Sequence, residues 1–214
     1  MPHPAPGGWE RALRTLLASV ALLLAGAAVL AAATDRFRAF TAETAHRIEV
    51  REHPVPVPAV PLQAASGARI DLADFRGKWL LLDFVYVHCT TFCVLLGDEF
   101  AQLQQSLAAP IAQGRLQLLS VSVDPKDDTP SELRDYLQRS GSHGAGWIAA
   151  RPIDAEGLSR IERVFGLTVI PDGHGDYVHN ADIELVDPQG RLVRVVDLGH
   201  PARTTRLAER YLAR

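Results

Sequence analysis

The chain has 214 residues, with 22 Lys or Arg, 25 Asp or Glu and a formal net charge of −3 at pH 7. This near-neutral balance argues against a nucleic-acid-binding protein, in which basic residues are usually in excess. The composition is that of an ordinary folded protein, and only two residues are cysteines.

Near the N-terminus is a long uncharged segment. Residues 15–33 are mainly Leu, Val and Ala and carry no charged side chain. At about 1.5 Å per residue, this segment approaches the roughly 30 Å hydrocarbon core of a bilayer. We therefore expect an uncleaved transmembrane anchor at 15–33, after an N-terminal tail of residues 1–14. The alternative is a signal peptide cut after Ala31-Ala32-Ala33. Arginines on both sides leave the orientation open.

A polar and proline-rich linker is expected over residues 34–61, before a domain of residues 62–214. Prolines alternate along residues 53–61, which favours the extended polyproline conformation and a semi-rigid spacer of roughly 25 Å. An edge strand or linker packed on the domain is an equally good interpretation.

Both cysteines lie in the stretch His88-Cys89-Thr90-Thr91-Phe92-Cys93. An apolar run over residues 78–87 predicts a buried strand before it, and apolar residues at helical spacing from Leu96 to Leu107 predict a helix after it. Cysteines four residues apart in the first turn of a helix share one face, and the helix N-terminus favours the thiolate. We therefore predict a reactive dithiol site rather than two buried core cysteines.

The rest of the domain predicts alternating strands and helices. A second buried strand at residues 116–123 would pair in parallel with the first, through a right-handed crossover. The further predicted elements are a short strand at 68–72, a helix with a capping box at Thr129-Pro130-Ser131-Glu132, a helix capped by Asp154 and ended by Gly166, a hairpin of 181–186 and 192–198, and a last helix from Pro201. This order predicts an α/β, thioredoxin-like fold, a central mixed sheet flanked by helices.

A histidine precedes the first hairpin strand. In a thioredoxin-type oxidoreductase we would expect two residues between the cysteines and a proline at that place. Here three residues separate Cys89 from Cys93, and His179 stands near the position of the proline. Two thiolates and an imidazole form a soft ligand set that suits copper and can bind zinc.

These residues resemble the Sco/SenC family of membrane-anchored, copper-binding proteins that assist assembly of the dinuclear copper centre of cytochrome c oxidase. The resemblance covers about residues 55–214. It rests on three parts of the sequence: the predicted strand 81–87 followed by His88-Cys89 and Cys93, the segment of residues 122–130, and His179 followed by the segment of residues 183–190. It implies a copper site of Cys89, Cys93 and His179, and a cytochrome c oxidase subunit or other cuproprotein as partner. It also implies a single-pass protein of a bacterial cytoplasmic membrane, with residues 1–14 cytoplasmic and the domain in the periplasm.

The chain departs from the family pattern near the cysteines. Thr90 and Val94 replace the prolines that usually follow each cysteine, and Thr91 stands where an acidic residue is common. Tyr177-Val178 replaces the usual Val-Asp before the histidine. These changes remove rigidity and charge near the sulfurs, so copper affinity and reduction potential are expected to differ from typical members.

Other polar residues are weaker candidates. We expect His88 to point away from the cysteines, His174 to be a solvent-exposed loop residue and His200 to start a helix. Asp83 could accept a proton from a thiol, but an edge-facing or hydrogen-bonded aspartate is the favoured interpretation. For Asp124 and Asp128 we expect a role in fixing a turn and a helix start rather than in metal binding.

Two functional classes follow from the dithiol. The first is a copper metallochaperone that binds Cu(I) and Cu(II). The second is a thiol–disulfide reductase with the redox-active pair Cys89 and Cys93, in which Cys89 is the nucleophile. A peroxiredoxin-like peroxidase is disfavoured, because Tyr86 stands where that family has a proline.

Overall fold

The computed structural model describes residues 7–34, 36–87, 92–171 and 177–213, without the side chains of residues 92–94, 171 and 177–179. The chain divides into two compact units, Met1–Ile48 and Glu49–Arg214.

The N-terminal unit contains one long apolar helix. Helix α1, Gly8–Ala33, has 26 residues, none of them buried, and a mean hydropathy of 2.5 over its most apolar 18 residues. At about 1.5 Å per residue it is long enough to cross a bilayer. Length and composition therefore fit a membrane span, and an N-terminal signal sequence fits them equally.

The short helix α2, Ala42–Glu52, crosses the boundary between the two units. Thr41 precedes it, and its hydroxyl accepts a hydrogen bond from the Thr44 backbone N–H at 3.1 Å. A side-chain oxygen at this place satisfies one of the free N–H groups at the start of a helix.

The C-terminal unit is built on an eight-stranded mixed sheet in the order β1-β10-β9-β4-β5-β6-β2-β3, with a separate pair β7-β8. The strands are β1 Val55–Pro56, β2 Pro61–Ala64, β3 Arg69–Asp71, β4 Trp79–Val85, β5 Leu116–Ser122, β6 Trp147–Pro152, β7 Val169–Pro171, β8 Tyr177–His179, β9 Asp182–Val186 and β10 Arg191–Asp197. Strands β4, β5 and β6 are mutually parallel, and β9 joins β4 antiparallel. The predicted parallel pair and hairpin are confirmed.

Helices cover both faces of the sheet. They are α3 Phe92–Ser106, α4 Ala108–Ala112, α5 Pro130–Arg139, α6 Ala155–Phe165 and α7 Pro201–Leu212. Alternate residues of β4 serve two cores. Leu82 packs in the core that includes Ile161 and Phe165 of α6, whereas Leu81 packs in the core that includes Phe100 of α3. Because β4 is buried on both faces, its sequence is an apolar run rather than an alternating pattern.

Local sequence signals set the helix ends as predicted. The Thr129 hydroxyl accepts from the Glu132 N–H at 3.4 Å, and Asp154 Oδ1 accepts from the Gly157 N–H at 2.7 Å. Gly166 ends α6 in a left-handed conformation with φ of 65°, which favours glycine.

The proline-rich segment belongs to the sheet, so the spacer interpretation is wrong and the packed edge strand is correct. Val55 pairs with Leu192 of β10, and Val57 and Val60 are 6% and 0% exposed. Proline is tolerated here because an edge strand leaves one row of N–H groups unpaired.

Strand β6 is absent from the sequence prediction. It pairs in parallel with β5, and Trp147, Ala149 and Ala150 are all buried. Two alanines and a proline give this segment a weak strand preference, so its place in the sheet is decided by packing.

Candidate metal centre

The structure describes the backbone of two of the three predicted metal ligands. Cys93 is the second residue of α3, and His179 is the last residue of β8, but their side chains are not described. Cys89 lies outside the described residues, as do His88, Thr90, Thr91 and His174.

The sheet topology brings the two relevant chain segments to one edge. Strand β9 runs antiparallel to β4, with Asp83 opposite Ile183, so β9 starts at the edge where β4 ends. The chain leaves this edge from Val85 towards α3, and it returns there after His179 to begin β9. The end of β4, which precedes the dithiol stretch in sequence, and the start of β9, which follows His179, therefore lie at the same edge.

Asn180 fixes the backbone immediately after His179. Its Oδ1 accepts a hydrogen bond from the Thr168 N–H at 2.8 Å, and its Nδ2 donates to Asp182 Oδ2 at 3.2 Å. Pairing of Val169 with His179 adds a second constraint. This role of Asn180 was not predicted from the sequence. An asparagine directly before a strand is the available signal, because its side chain readily bonds nearby backbone groups.

Asp128 fixes the end of β4 from the other side. Its Oδ2 accepts hydrogen bonds from Ser122 Oγ at 2.6 Å and from the Val87 N–H at 3.4 Å. Asp124 Oδ1 accepts from the Asp127 N–H at 3.4 Å. Both aspartates act within the turn before α5, as the sequence analysis predicted.

The surroundings of Asp83 differ from those predicted. The edge-facing alternative is wrong, because β4 is a central strand and Asp83 is 0% exposed. Neither carboxyl oxygen has a partner with ordinary hydrogen-bond geometry among the described residues, but the Ser120 hydroxyl lies close enough to lower the Asp83 pKa. Burial, with a smaller contribution from the charge of Glu99, raises the pKa of Asp83 from 3.8 to about 8, and the nearby Ser120 hydroxyl and the Asp83 backbone offset this rise only in part. Asp83 is therefore mainly neutral at pH 7.

Glu99 connects α3 to the start of α7. It is 3% exposed, its Oε2 accepts from the Gly199 N–H at 2.6 Å, and its Oε1 accepts from Thr204 Oγ1 at 3.3 Å. Cys93 lies six residues earlier on the same helix. The role of Glu99 was not predicted from the sequence, although an acidic residue beside the core position Phe100 is a usable signal.

Of the other histidines, His200 starts a helix as predicted. It precedes α7, and its carbonyl oxygen accepts hydrogen bonds from the N–H groups of Arg203 at 2.8 Å and Thr204 at 3.1 Å. The residue therefore has a clear structural role at the start of α7.

Comparison with known proteins identifies the family. A sequence model described as SCO1/SenC matches residues 59–211. The mitochondrial SCO2 homolog of Bos taurus is 32% identical over 120 residues, covering 55% of this chain and 45% of that protein. The SCO1 homolog of Bacillus subtilis is 23% identical over 134 residues, covering 62% of this chain and 68% of that protein. The matched part is thus about half to two thirds of these relatives.

Solved structures agree on the fold. A SCO1/SenC family lipoprotein from Bacillus anthracis has a TM-score of 0.67 and 22% identity, covering 76% of this chain and 98% of that chain. Copper-bound ScoI from Bradyrhizobium japonicum has a TM-score of 0.61 and 23% identity, covering 73% of this chain and 99% of that chain. These similarities confirm the thioredoxin-like fold predicted from sequence. Because the family model spans most of the folded unit, including the positions of both cysteines and His179, the chain belongs to the SCO1/SenC family.

Proposed function

We propose that this protein is a membrane-anchored copper metallochaperone of the Sco/SenC type that assists assembly of the copper centre of cytochrome c oxidase. The observation that carries the proposal is the family match over residues 59–211, which includes Cys89, Cys93 and His179. A structural relative, ScoI of Bradyrhizobium japonicum, is known with copper bound. The end of β4 and the start of β9, which flank these segments in sequence, lie at one sheet edge, and this supports the same assignment.

In this proposal copper is cargo. The thiolates of Cys89 and Cys93 bind Cu(I), and the His179 imidazole completes the site and admits Cu(II). The metal passes to its acceptor by ligand exchange, in which each bond from copper to this protein is replaced by one to the acceptor. Binding requires the dithiol form. Oxidation of the pair to a disulfide, with loss of two electrons and two protons to an oxidant, would therefore prevent loading.

Copper binding by the full chain in a mild detergent tests the proposal. Reduced wild-type protein should retain close to one copper per chain after desalting. Cys89→Ala with Cys93→Ala should retain none, and His179→Ala should lose stable Cu(II) binding. His143→Ala, at an exposed histidine outside the proposed ligand set, is the matched control and should bind as wild type. No copper above background in the wild type would overturn the assignment.

The dithiol at a strand-to-helix junction also supports a thiol–disulfide reductase. In that reaction the Cys89 thiolate attacks an acceptor disulfide, and Cys93 resolves the mixed disulfide. The acceptor is left as a dithiol, and Cys89 and Cys93 become oxidised to a disulfide. A reductase should keep its thiol activity after His179→Ala, whereas a chaperone should lose stable copper binding.

We also propose the placement of the chain. Residues 1–14 form a cytoplasmic tail, 15–33 a transmembrane anchor and 34–61 a linker whose last part packs on the domain, and residues 62–214 form the thioredoxin-like domain in the bacterial periplasm. Helix α1 supports the anchor by its length and apolar composition.

A further inference from the structure

A basic pocket lies at the sheet edge opposite the candidate metal centre. Its volume is about 340 Å³, and its lining includes three arginines, Arg51, Arg191 and Arg194, beside the aromatic residues Trp79 and Tyr211. Trp79 is the first residue of β4, whereas the dithiol stretch follows the end of that strand. The pocket therefore belongs to a different part of the domain.

One of the three arginines is already neutralised. Arg191 donates through Nε and Nη2 to Asp187 Oδ2, at 2.8 and 2.7 Å. The second oxygen of Asp187 accepts from the backbone N–H groups of Gln189 at 3.0 Å and Arg191 at 2.8 Å. Because Asp187 is the one acidic residue in the described lining and it pairs with Arg191, the lining itself offers no carboxylate to the other two arginines.

Arg194 is the better placed of these two arginines. Its guanidinium lies 5.4 Å from the centre of the Tyr211 ring, and its Nη1 donates to the Val193 carbonyl at 2.8 Å. Among the described residues no carboxylate pairs with it. The side chain is held in place on an aromatic face while most of its N–H donors stay available, which preorganises it for an anion.

Arg51 supplies a second positive charge at the rim. It approaches Glu52 at 3.6 Å, with the two side chains 51% and 43% exposed. An exposed ion pair at that distance is weak and easily exchanged, so Arg51 can turn towards a ligand in the pocket.

Trp79 and Tyr211 form the apolar side of the pocket, with ring centres 5.3 Å apart in an edge-to-face arrangement. A low-polarity wall strengthens the attraction between a guanidinium and a bound anion. Two available guanidiniums match the charge of a phosphate dianion better than that of a single carboxylate.

We propose that this pocket binds a phosphate group, either as free phosphate or on a phosphomonoester lipid headgroup. Arg51 and Arg194 hold the phosphate oxygens through charge-assisted hydrogen bonds, and Trp79 and Tyr211 line the site. The assignment is independent of copper binding, because it uses none of the proposed metal ligands.

Calorimetric titration of the full chain in a neutral detergent with inorganic phosphate at pH 7.5 and low salt tests the site. Wild-type protein should give saturable binding, and Arg51→Gln with Arg194→Gln should weaken it at least tenfold. Arg163→Gln, at an exposed arginine of α6, is the matched charge control and should change affinity less than twofold. Arg194→Lys should give an intermediate affinity, because it keeps the charge but loses the planar fork.

The lipid source is tested in nanodiscs of phosphatidylcholine with or without phosphatidic acid, using the intrinsic tryptophan fluorescence of chains that carry Trp9→Phe as readout. A change that requires phosphatidic acid and disappears in the double variant assigns the headgroup, whereas saturable binding of free phosphate alone assigns the soluble ion. Absence of both, or equal binding by wild type and double variant, overturns the proposal. Copper loading should be the same in all these variants, which separates failure of this site from failure of the metal site.

Discussion

Ser122 and Asp128, both 0% exposed, are joined by a hydrogen bond of 2.6 Å from Ser122 Oγ to Asp128 Oδ2. The same oxygen accepts the Val87 N–H. One carboxylate therefore connects the end of β5 to the last described residue before the dithiol stretch. In this way the turn before α5 supports the chain at the candidate metal centre.

Replacing Asp128 by Ala should destabilise the fold. The change leaves the Ser122 hydroxyl and the Val87 N–H buried without this partner, which costs about 1–3 kcal/mol of unfolding free energy. Urea unfolding of the full chain in detergent, followed by circular dichroism, measures the loss. Asp127→Ala, at the exposed neighbour, should cost less than about 0.5 kcal/mol. Equal stability of the two variants would contradict the role given to Asp128.

Asp83 should make stability fall as pH rises. The pKa of the Asp83 carboxyl rises from its ordinary value of 3.8 to about 8 in the folded chain. Well below pH 4 the carboxyl is protonated in both the folded and the unfolded chain, so it contributes no pH dependence there. Between pH 4 and 8 the folded chain retains the proton that the unfolded chain has released. The unfolding free energy therefore decreases over this window and levels off above it.

Asp83→Asn should remove this contribution to the pH dependence and stabilise the protein at pH 7 by a few kcal/mol, since one pKa unit corresponds to about 1.4 kcal/mol. Unfolding curves at several pH values between 4 and 9 measure the slope. Asp98→Asn, at an exposed position of α3, is the control and should keep the wild-type slope. If Asp83→Asn also keeps that slope, another group must account for it.

Gly97 allows α3 to approach the end of α5. A Cβ at this position would lie 3.0 Å from the Ser140 Cβ and would also clash with the Ser140 Oγ. Gly97→Ala should therefore cost about 1–3 kcal/mol in overpacking, offset in part by roughly 1 kcal/mol from the better helix propensity of alanine. Thermal unfolding should show a lower midpoint for this variant.

Ser140→Gly supplies the compensating change. Combined with Gly97→Ala it should recover most of the lost stability, because it removes both atoms that the new methyl group would meet. Simple addition of the two single effects, measured in the same unfolding experiment, would show that the two residues do not share this contact.

Residues 15–33 should keep the protein in the membrane. The full chain should remain with membranes after alkaline carbonate washing, and a chain without residues 1–33 should be released. N-terminal sequencing of the mature protein separates an anchor from a signal peptide: a start immediately after Ala33 would show that the segment is removed.

Much of the fold follows from local sequence. The apolar run at β4 is readable because a strand buried on both faces has no polar alternation. Thr129 and Asp154 mark helix starts by their own hydrogen-bonding groups, and the turn at Asp187 carries proline and glycine in favoured positions. The resemblance that led to the family also rests on such local patterns around the cysteines and His179.

Long-range packing decided the parts of the fold that were not predicted from local sequence. Strand β6, with its weak local preference, joins the sheet because Trp147 and its alanines fill a place beside β5. The proline-rich segment becomes an edge strand because β10 offers free backbone groups.

By itself, the sequence determined the two buried strands, the hairpin and the family, since each depends on local patterns of residue types. It also supplied the prediction that Cys89, Cys93 and His179 bind the metal. The tertiary structure alone decided what surrounds those positions. Asp83 is neutral because α3 and the neighbouring strands exclude water from it, and the basic pocket forms because Arg51, Trp79 and Arg194 meet across long sequence separations. Burial and charge balance depend on such distant contacts, which residue spacing does not encode.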